Sequence, residues 1–263
     1  MGAGGVVYAI ADRTRADVAD RRGRVPVREL HAAIADAPAV RDFSAALQGP
    51  GLGLIAEYKP KGPRSAPFRP GAGPEDMALH YAPYAAAISV LTDAPFFGGS
   101  HVALRRMRAA VPVPVLDKDF VVTEYQVLEA RAAGADAVLL MACLLDAAML
   151  LELLQVVRGL GMEALVEVLD RRELDRVLAG PSTVIGVNAR DLRTLDLDLG
   201  RAAELLDEIP ADRVAVSASG VRTRTDADQV RGGRADAALI GTSLMRAPDP
   251  TAHIESLGFV RCR

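Results

Sequence analysis

Short apolar runs rich in Val, Ile, Leu and Ala recur along the chain, at residues 54–58, 87–91, 113–117, 137–141, 164–168, 184–188, 214–217 and 237–241. Near-continuous apolar runs of this length read as strands covered on both faces, which calls for a parallel sheet with helices outside it. The intervening segments carry helical patterning. Residues 125–133, 147–158 and 171–178 read as helices, with Gly134, Gly159 and Gly180 as C-terminal signals. Eight strand–helix units predict an α/β fold, a single (β/α)8 TIM barrel, over an open doubly wound sheet. No Gly-x-Gly-x-x-Gly follows the first run. A length of 263 residues suits one such barrel, so 1–263 is expected to form one domain.

Residues 1–50 precede the first run and hold two helix candidates, 11–22 and 27–34. They are too apolar and too helical for a linker and read as an N-terminal helical extension packed on the barrel. Residues 60–74, rich in Pro, Gly, Lys and Arg, form a long loop after the first strand, at the end where barrel enzymes keep their active-site loops.

A net charge of -3 and a pI near 5.9 give no basic excess for nucleic acid or an anionic membrane. No apolar run approaches the roughly 18 residues that a membrane span needs. The N-terminus lacks a signal-peptide pattern, and Val6 stands where a myristoylation motif wants Ser or Thr. The two cysteines, Cys143 and Cys262, make no disulfide framework and favour a reducing, cytoplasmic setting. Cys143 is expected to be a buried structural thiol. Oligomeric state is not legible, and a monomer is compatible with the sequence.

A charge inside or ending an apolar strand needs an explanation, because burying it alone is costly. Glu57 and Lys59 are two apart at the first strand and point to one side of it. Lys118 ends the third strand, Glu167 sits inside the fifth, and Asn188 and Arg190 end the sixth. Ion pairs bracing the barrel mouth would account for any one of them. Their convergence on one end of the barrel favours a site. After the seventh and eighth strands come Ser219-Gly220 and Gly241-Thr242-Ser243. Backbone N–H groups in such turns can hold a phosphate, although tight turns with an N-cap are the plainer reading of each alone. The histidines His31, His80, His101 and His253 show no metal-site spacing. Phe96-Phe97 before Gly98-Gly99-Ser100 could line a substrate loop or pack in the core.

Together these motifs resemble indole-3-glycerol phosphate synthases over nearly the whole chain. The resemblance is carried by Ile55-Ala56-Glu57-Tyr58-Lys59, Phe96-Phe97-Gly98-Gly99-Ser100, Leu116-Asp117-Lys118-Asp119-Phe120, Ala164-Leu165-Val166-Glu167-Val168, Val187-Asn188-Ala189-Arg190-Asp191, Ser219-Gly220-Val221-Arg222 and Gly241-Thr242-Ser243-Leu244-Met245. It implies a carboxyphenylamino-deoxyribulose phosphate substrate that closes a ring and loses carbon dioxide and water. Lys118 would be the general acid at the substrate carbonyl, and Glu167 would assist proton removal and dehydration. Lys59 would be a second acid and a substrate contact, with Glu57 and Asn188 orienting substrate and lysines. Arg190, Ser219, Gly220, Gly241 and Thr242 would lie near the phosphate, with Phe120 and Arg64 as further substrate contacts. No metal, flavin or nucleotide is called for. A nearby carboxylate is expected to keep Lys118 charged, while crowding by a second lysine is expected to lower its pKa.

The chain departs from the family pattern where Ser-Pro-Ser is usual, which here is Gly62-Pro63-Arg64, and at a usual Glu, which here is Ala218. Two readings follow: an ordinary synthase with a divergent loop, or a paralogue acting on a related arylamino sugar phosphate. A barrel that binds a phosphorylated ligand without turnover, or a phosphosugar isomerase on the same scaffold, would belong to a different class. Retention of Glu57, Lys59, Lys118, Glu167 and Asn188 argues against an inert barrel.

Overall fold

Apolar runs covered on both faces end in a closed ring of parallel strands, paired in chain order from β1 to β8 with β8 returning to β1. The computed structural model describes residues 6–262, apart from 64, 192, 193 and 195. The strands are β1 Gly53–Tyr58, β2 Ala87–Leu91, β3 Val115–Lys118, β4 Ala137–Met141, β5 Glu163–Val168, β6 Val184–Asn188, β7 Val214–Ala218 and β8 Ala237–Ile240. The helices are α1 Val6–Arg24, α2 Val27–Ala35, α3 Phe43–Leu47, α4 Pro74–Tyr81, α5 Ala94–Phe97, α6 His101–Ala110, α7 Glu124–Ala132, α8 Ala147–Gly159, α9 Arg171–Leu178, α10 Leu199–Asp207, α11 Arg224–Arg231, α12 Thr242–Arg246 and α13 Pro250–Ser256. Several open on side-chain caps: Ser100, Asp146, Asp170, Asp198 and Thr223 accept the free N–H groups of α6, α8, α9, α10 and α11.

Alternation along the strands sorts the core into two clusters. Ile55, Leu116, Leu139, Leu165, Val216 and Leu239 fill the barrel interior, whereas Leu54, Val90, Val138, Val166 and Ile185 pack outward under the helices. At the C-terminal end of the interior the odd-numbered strands present Glu57, Lys118, Glu167 and Ala218, so three charged residues and one methyl crown an apolar stack.

The extension packs as expected. Arg21 of α1 makes a bidentate pair with Glu129 of α7 at 2.8 and 2.9 Å, and Tyr125 donates to the Val25 carbonyl at 2.9 Å. Arg41 bonds Asp136 through its backbone N–H and the Val111 and Val113 carbonyls through its guanidinium. The sequence reading did not foresee α3, which is too short for its periodicity to show. It brings Phe43 and Leu47 onto the interior cluster just ahead of β1.

Three details differ from expectation. The third strand begins at Val115, after Pro114, because proline cannot donate to a ladder. Of the helix-ending glycines, only Gly134 is left-handed, at φ 91°; after α8 that role falls to Gly161 at 73°, with Gly159 still helical. Cys143 is half-buried rather than buried, because it lies past the end of β4, and neither cysteine forms a disulfide. No helix among the described residues is long and apolar enough to cross a membrane.

Candidate active site

The C-terminal ends of the strands enclose a cavity of about 1010 Å3. Glu57, Lys59, Lys118, Phe120, Glu167, Asn188, Arg190, Ser219, Gly220, Gly241 and Thr242 all line it, so residues spread over most of the sequence meet at one end of the barrel. Arg64 lies outside the described residues.

On the β3–β5–β6 side the groups interlock. The Lys118 ammonium stands 3.3 Å from Glu167 Oε2, and Asn188 Nδ2 donates to Glu167 Oε1 at 2.9 Å. Asn188 is itself fixed, since its Oδ1 accepts the Arg190 backbone N–H at 2.9 Å and its carbonyl accepts the Arg201 guanidinium at 3.0 Å. Glu167 is therefore held by both oxygens in a buried position. Burial pushes the Lys118 pKa down, but the charges of Glu167 and Glu57 outweigh it and hold the ammonium above its ordinary range. This corrects the expectation of a lowered pKa: the groups that govern Lys118 are carboxylates, not a second lysine. The group is a stable cation, suited to stabilising negative charge as it forms on a neighbouring oxygen.

On the β1–β8 side the Lys59 ammonium is 3.7 Å from Glu57 Oε2 and 5.3 Å from the centre of the Phe97 ring. Phe97 stacks with Phe120 at 5.8 Å. Phe97 thus faces the cavity, which sequence alone left balanced against core packing. Glu57 rests against bare backbone. A Cβ on Gly241 would fall 2.0 Å from Glu57 Oε2 and 2.9 Å from its Cβ, so Gly241 is small because the carboxylate occupies its side-chain space. The charges do form ion pairs, as the bracing reading has it, and both pairs lie on the cavity wall.

At the rim β7 ends in two left-handed residues, Ser219 at φ 68° and Gly220 at 97°. Ser219 is the sole non-glycine with positive φ among the described residues, a conformation that costs energy and tends to mark a working site. At Gly220 the left-handed φ of 97° is one that L side chains rarely adopt, which favours glycine there. Opposite, Gly241 precedes α12 with no side-chain cap on its first turn. Both turns line the cavity, where the phosphate contacts were expected from sequence.

Arg222 and Arg246 also line the cavity and were not singled out from sequence. Arg222 follows Gly220 by two residues and Arg246 lies one helical turn beyond Thr242, so basic residues flanking the glycine turns were the available signal. Arg246 sits 4.7 Å from the centre of the Phe68 ring. In the proline-rich loop Ser65 Oγ accepts the Gly62 N–H at 2.8 Å, and Arg69 donates to the Ala247 and Pro248 carbonyls, tying this loop to the segment after β8.

Comparison with known proteins agrees with this geometry. The family model for indole-3-glycerol phosphate synthase matches residues 7–257. Indole-3-glycerol phosphate synthase 2 of Streptomyces coelicolor is 45% identical over 254 residues, covering 96% of this chain and 98% of that protein. The indole-3-glycerol phosphate synthase of Rhodopirellula baltica is 43% identical over 247 residues, covering 93% and 95%. Among solved structures, 3-hexulose-6-phosphate synthase from Salmonella typhimurium superposes with a TM-score of 0.62 over 78% of this chain and 96% of that one, at 13% identity, which shows a shared fold alone. The chain belongs to the indole-3-glycerol phosphate synthase family.

Proposed function

We propose that the chain converts 1-(2-carboxyphenylamino)-1-deoxyribulose 5-phosphate to indole-3-glycerol phosphate. The observation that carries this reading is a fully engaged Lys118–Glu167–Asn188 cluster on the wall of a cavity whose rim holds the Ser219-Gly220 turn. The phosphate is held by N–H groups of the β7 and β8 turns, with Thr242 and Arg190 beside them. This anchors the sugar and presents its ketone to Lys118. The ring carbon bearing the carboxylate attacks the ketone carbon. The carbonyl electron pair moves to oxygen, where the Lys118 ammonium supplies the proton. Carbon dioxide leaves from the same ring carbon. Glu167 then takes a proton from the adjacent methylene while Lys59 protonates the departing hydroxyl, and water is lost. Glu57 orients Lys59, and Asn188 keeps Glu167 aimed. Phe97 and Phe120 offer apolar surface to the aryl ring.

The test is indole formation followed by absorbance with purified protein. Wild type should turn over, and Lys118→Ala should lose roughly 10²–10⁴-fold in kcat. A silent wild type overturns the assignment, and an unimpaired Lys118→Ala overturns the role of Lys118.

A second reading draws on Ala218. It holds the inward position that completes the set of Glu57, Lys118 and Glu167, and it offers a methyl there. This favours a paralogue whose arylamino sugar phosphate carries an altered ring. A higher kcat/KM for ring-substituted substrates than for the unsubstituted one would support it, and the reverse order would dismiss it.

A further inference from the structure

Lys118 has a second environment on the outer side of its own strand. Asp117 and Asp119 flank it: Asp117, by strand alternation, points away from the cavity into the layer between β3 and the helices, and Asp119 follows the strand at the edge of the cavity. Both are buried. Asp117 is held from two elements: Thr92, just beyond β2, donates its hydroxyl to Oδ1, and His101, the first residue of α6, places Nε2 3.2 Å from Oδ2. Thr92 grips the strand twice, because its backbone N–H also donates to the Lys118 carbonyl at 3.3 Å. Asp119 is held by Gln126 of α7 at 3.1 Å, and the same Gln126 accepts the Val122 N–H and donates to the Phe120 carbonyl, fixing the turn that follows.

Among the charged groups facing His101, Asp117 comes from β3, Asp119 from the turn just after it and Glu129 from α7. Glu129 is already paired with Arg21 of α1 at 2.8 Å. His101 thus meets Oδ2 of Asp117, while Thr92 serves Oδ1 and Gln126 serves Asp119. Burial opposes its charge, but the hydrogen bond and charge of Asp117 prevail and hold its pKa above the usual imidazole range. Losing this donor leaves a buried carboxylate short of a partner beside a second carboxylate, and the strand end has to adjust.

We propose that His101 is a positioning residue for Lys118: by bonding Asp117 from α6 it fixes the end of β3 and its junction with Thr92, and so sets where the Lys118 ammonium meets Glu167. This rests on the reading above in which Lys118 is the proton donor. None of the groups involved in the hold, His101, Asp117 and Thr92, lines the cavity, so the effect reaches the reaction through the strand.

The experiment compares His101→Leu, which removes the donor, with His101→Gln, which restores an N–H donor without an imidazole. Steady-state kinetics are combined with NMR titration of the Lys118 side chain, assigned with Lys118→Arg. For His101→Leu we expect kcat to fall about tenfold with KM held within about twofold, as for a small misplacement of a catalytic group. The Lys118 titration should move down as its contact with Glu167 loosens. His101→Gln should recover most of both. Unchanged kcat and unchanged Lys118 titration in His101→Leu overturn the proposal. So does a parallel loss of kcat, KM and stability with Lys118 titrating as in wild type, which marks a structural role only. If His101→Leu fails to fold, Asp117→Asn, which keeps the shape of the side chain, has to give the same signature, and its absence overturns the proposal. If wild type makes no indole product, the functional reading falls while the Lys118 titration alone still decides the role of His101.

Discussion

The two lysines of the cavity occupy contrasting settings. Lys118 lies 3.3 Å from a carboxylate whose other oxygen is fixed by Asn188, and Asn188 is in turn fixed by Arg190 and Arg201. Lys59 lies 3.7 Å from Glu57 and over the Phe97 ring, and its side chain is more exposed, at 20% against 14%. One ammonium is held in a network with little slack; the other rests on a looser pair and an aromatic face. The difference suits a division of labour. Ring closure needs a charge fixed beside one oxygen, and preorganised charge costs no reorganisation as the bond forms. Dehydration needs an acid that reaches a hydroxyl on a partly built ring, for which some reach is an advantage.

Breaking the tight side should have the largest effect. Lys118→Ala should lower kcat by about 10³-fold with little change in KM, measured as indole formation. Asn188→Ala frees one oxygen of Glu167 and should cost about tenfold to a hundredfold in kcat, read in the same assay. On the loose side Lys59→Ala should lower kcat less than Lys118→Ala does, about tenfold to a hundredfold, and raise KM as well. Equal losses at the two lysines would erase the proposed division. Gly241→Ala forces the Glu57 carboxylate out of its seat; we expect a loss of about 1–3 kcal/mol in urea unfolding, with kcat/KM falling alongside.

The smallest effect is one of stability with pH, behind the tight side. Burial, and then the charge of Asp117, push the Asp119 pKa up to about 6. A carboxyl whose pKa is raised on folding stabilises the fold while protonated. Its contribution is complete below the unfolded value near 4 and is lost as pH rises through about 6. Asp119→Asn should therefore flatten the decline of the urea midpoint between about pH 4 and pH 7 relative to wild type. An identical decline in both proteins would show that Asp119 does not titrate in this range.

The sequence made Glu57, Lys118 and Glu167 legible because each puts charge into an apolar run, and a strand places such residues by simple alternation. The strand order followed from counting runs, and the barrel from their number. The His101–Asp117 contact was not legible. It joins a helix start to a strand across 16 residues, and nothing local distinguishes that histidine from His31 or His80. The lysine pKa was misjudged for a related reason. Its direction depends on which charges stand closest, and proximity between strands is fixed by barrel register, which pairs Met141 with Glu167 and Leu91 with Lys118. The start of β3 was misplaced because hydrophobicity outweighed the missing proline donor. Arg222 and Arg246 became visible only once the loops closed around a common space.

The extension holds a partner that is far from it along the chain. Its bonds from Arg21 to Glu129 and from Arg41 to Asp136 span 108 and 95 residues. Helix α1 therefore has no Glu129 to pair with until a further 108 residues have been made. At about 5–20 residues per second, α1 and α2 wait for several seconds without their partner surface on α7. Closing so long a loop slows folding more than it weakens the final fold. Their docking thus waits for α7, about a hundred residues further along the chain.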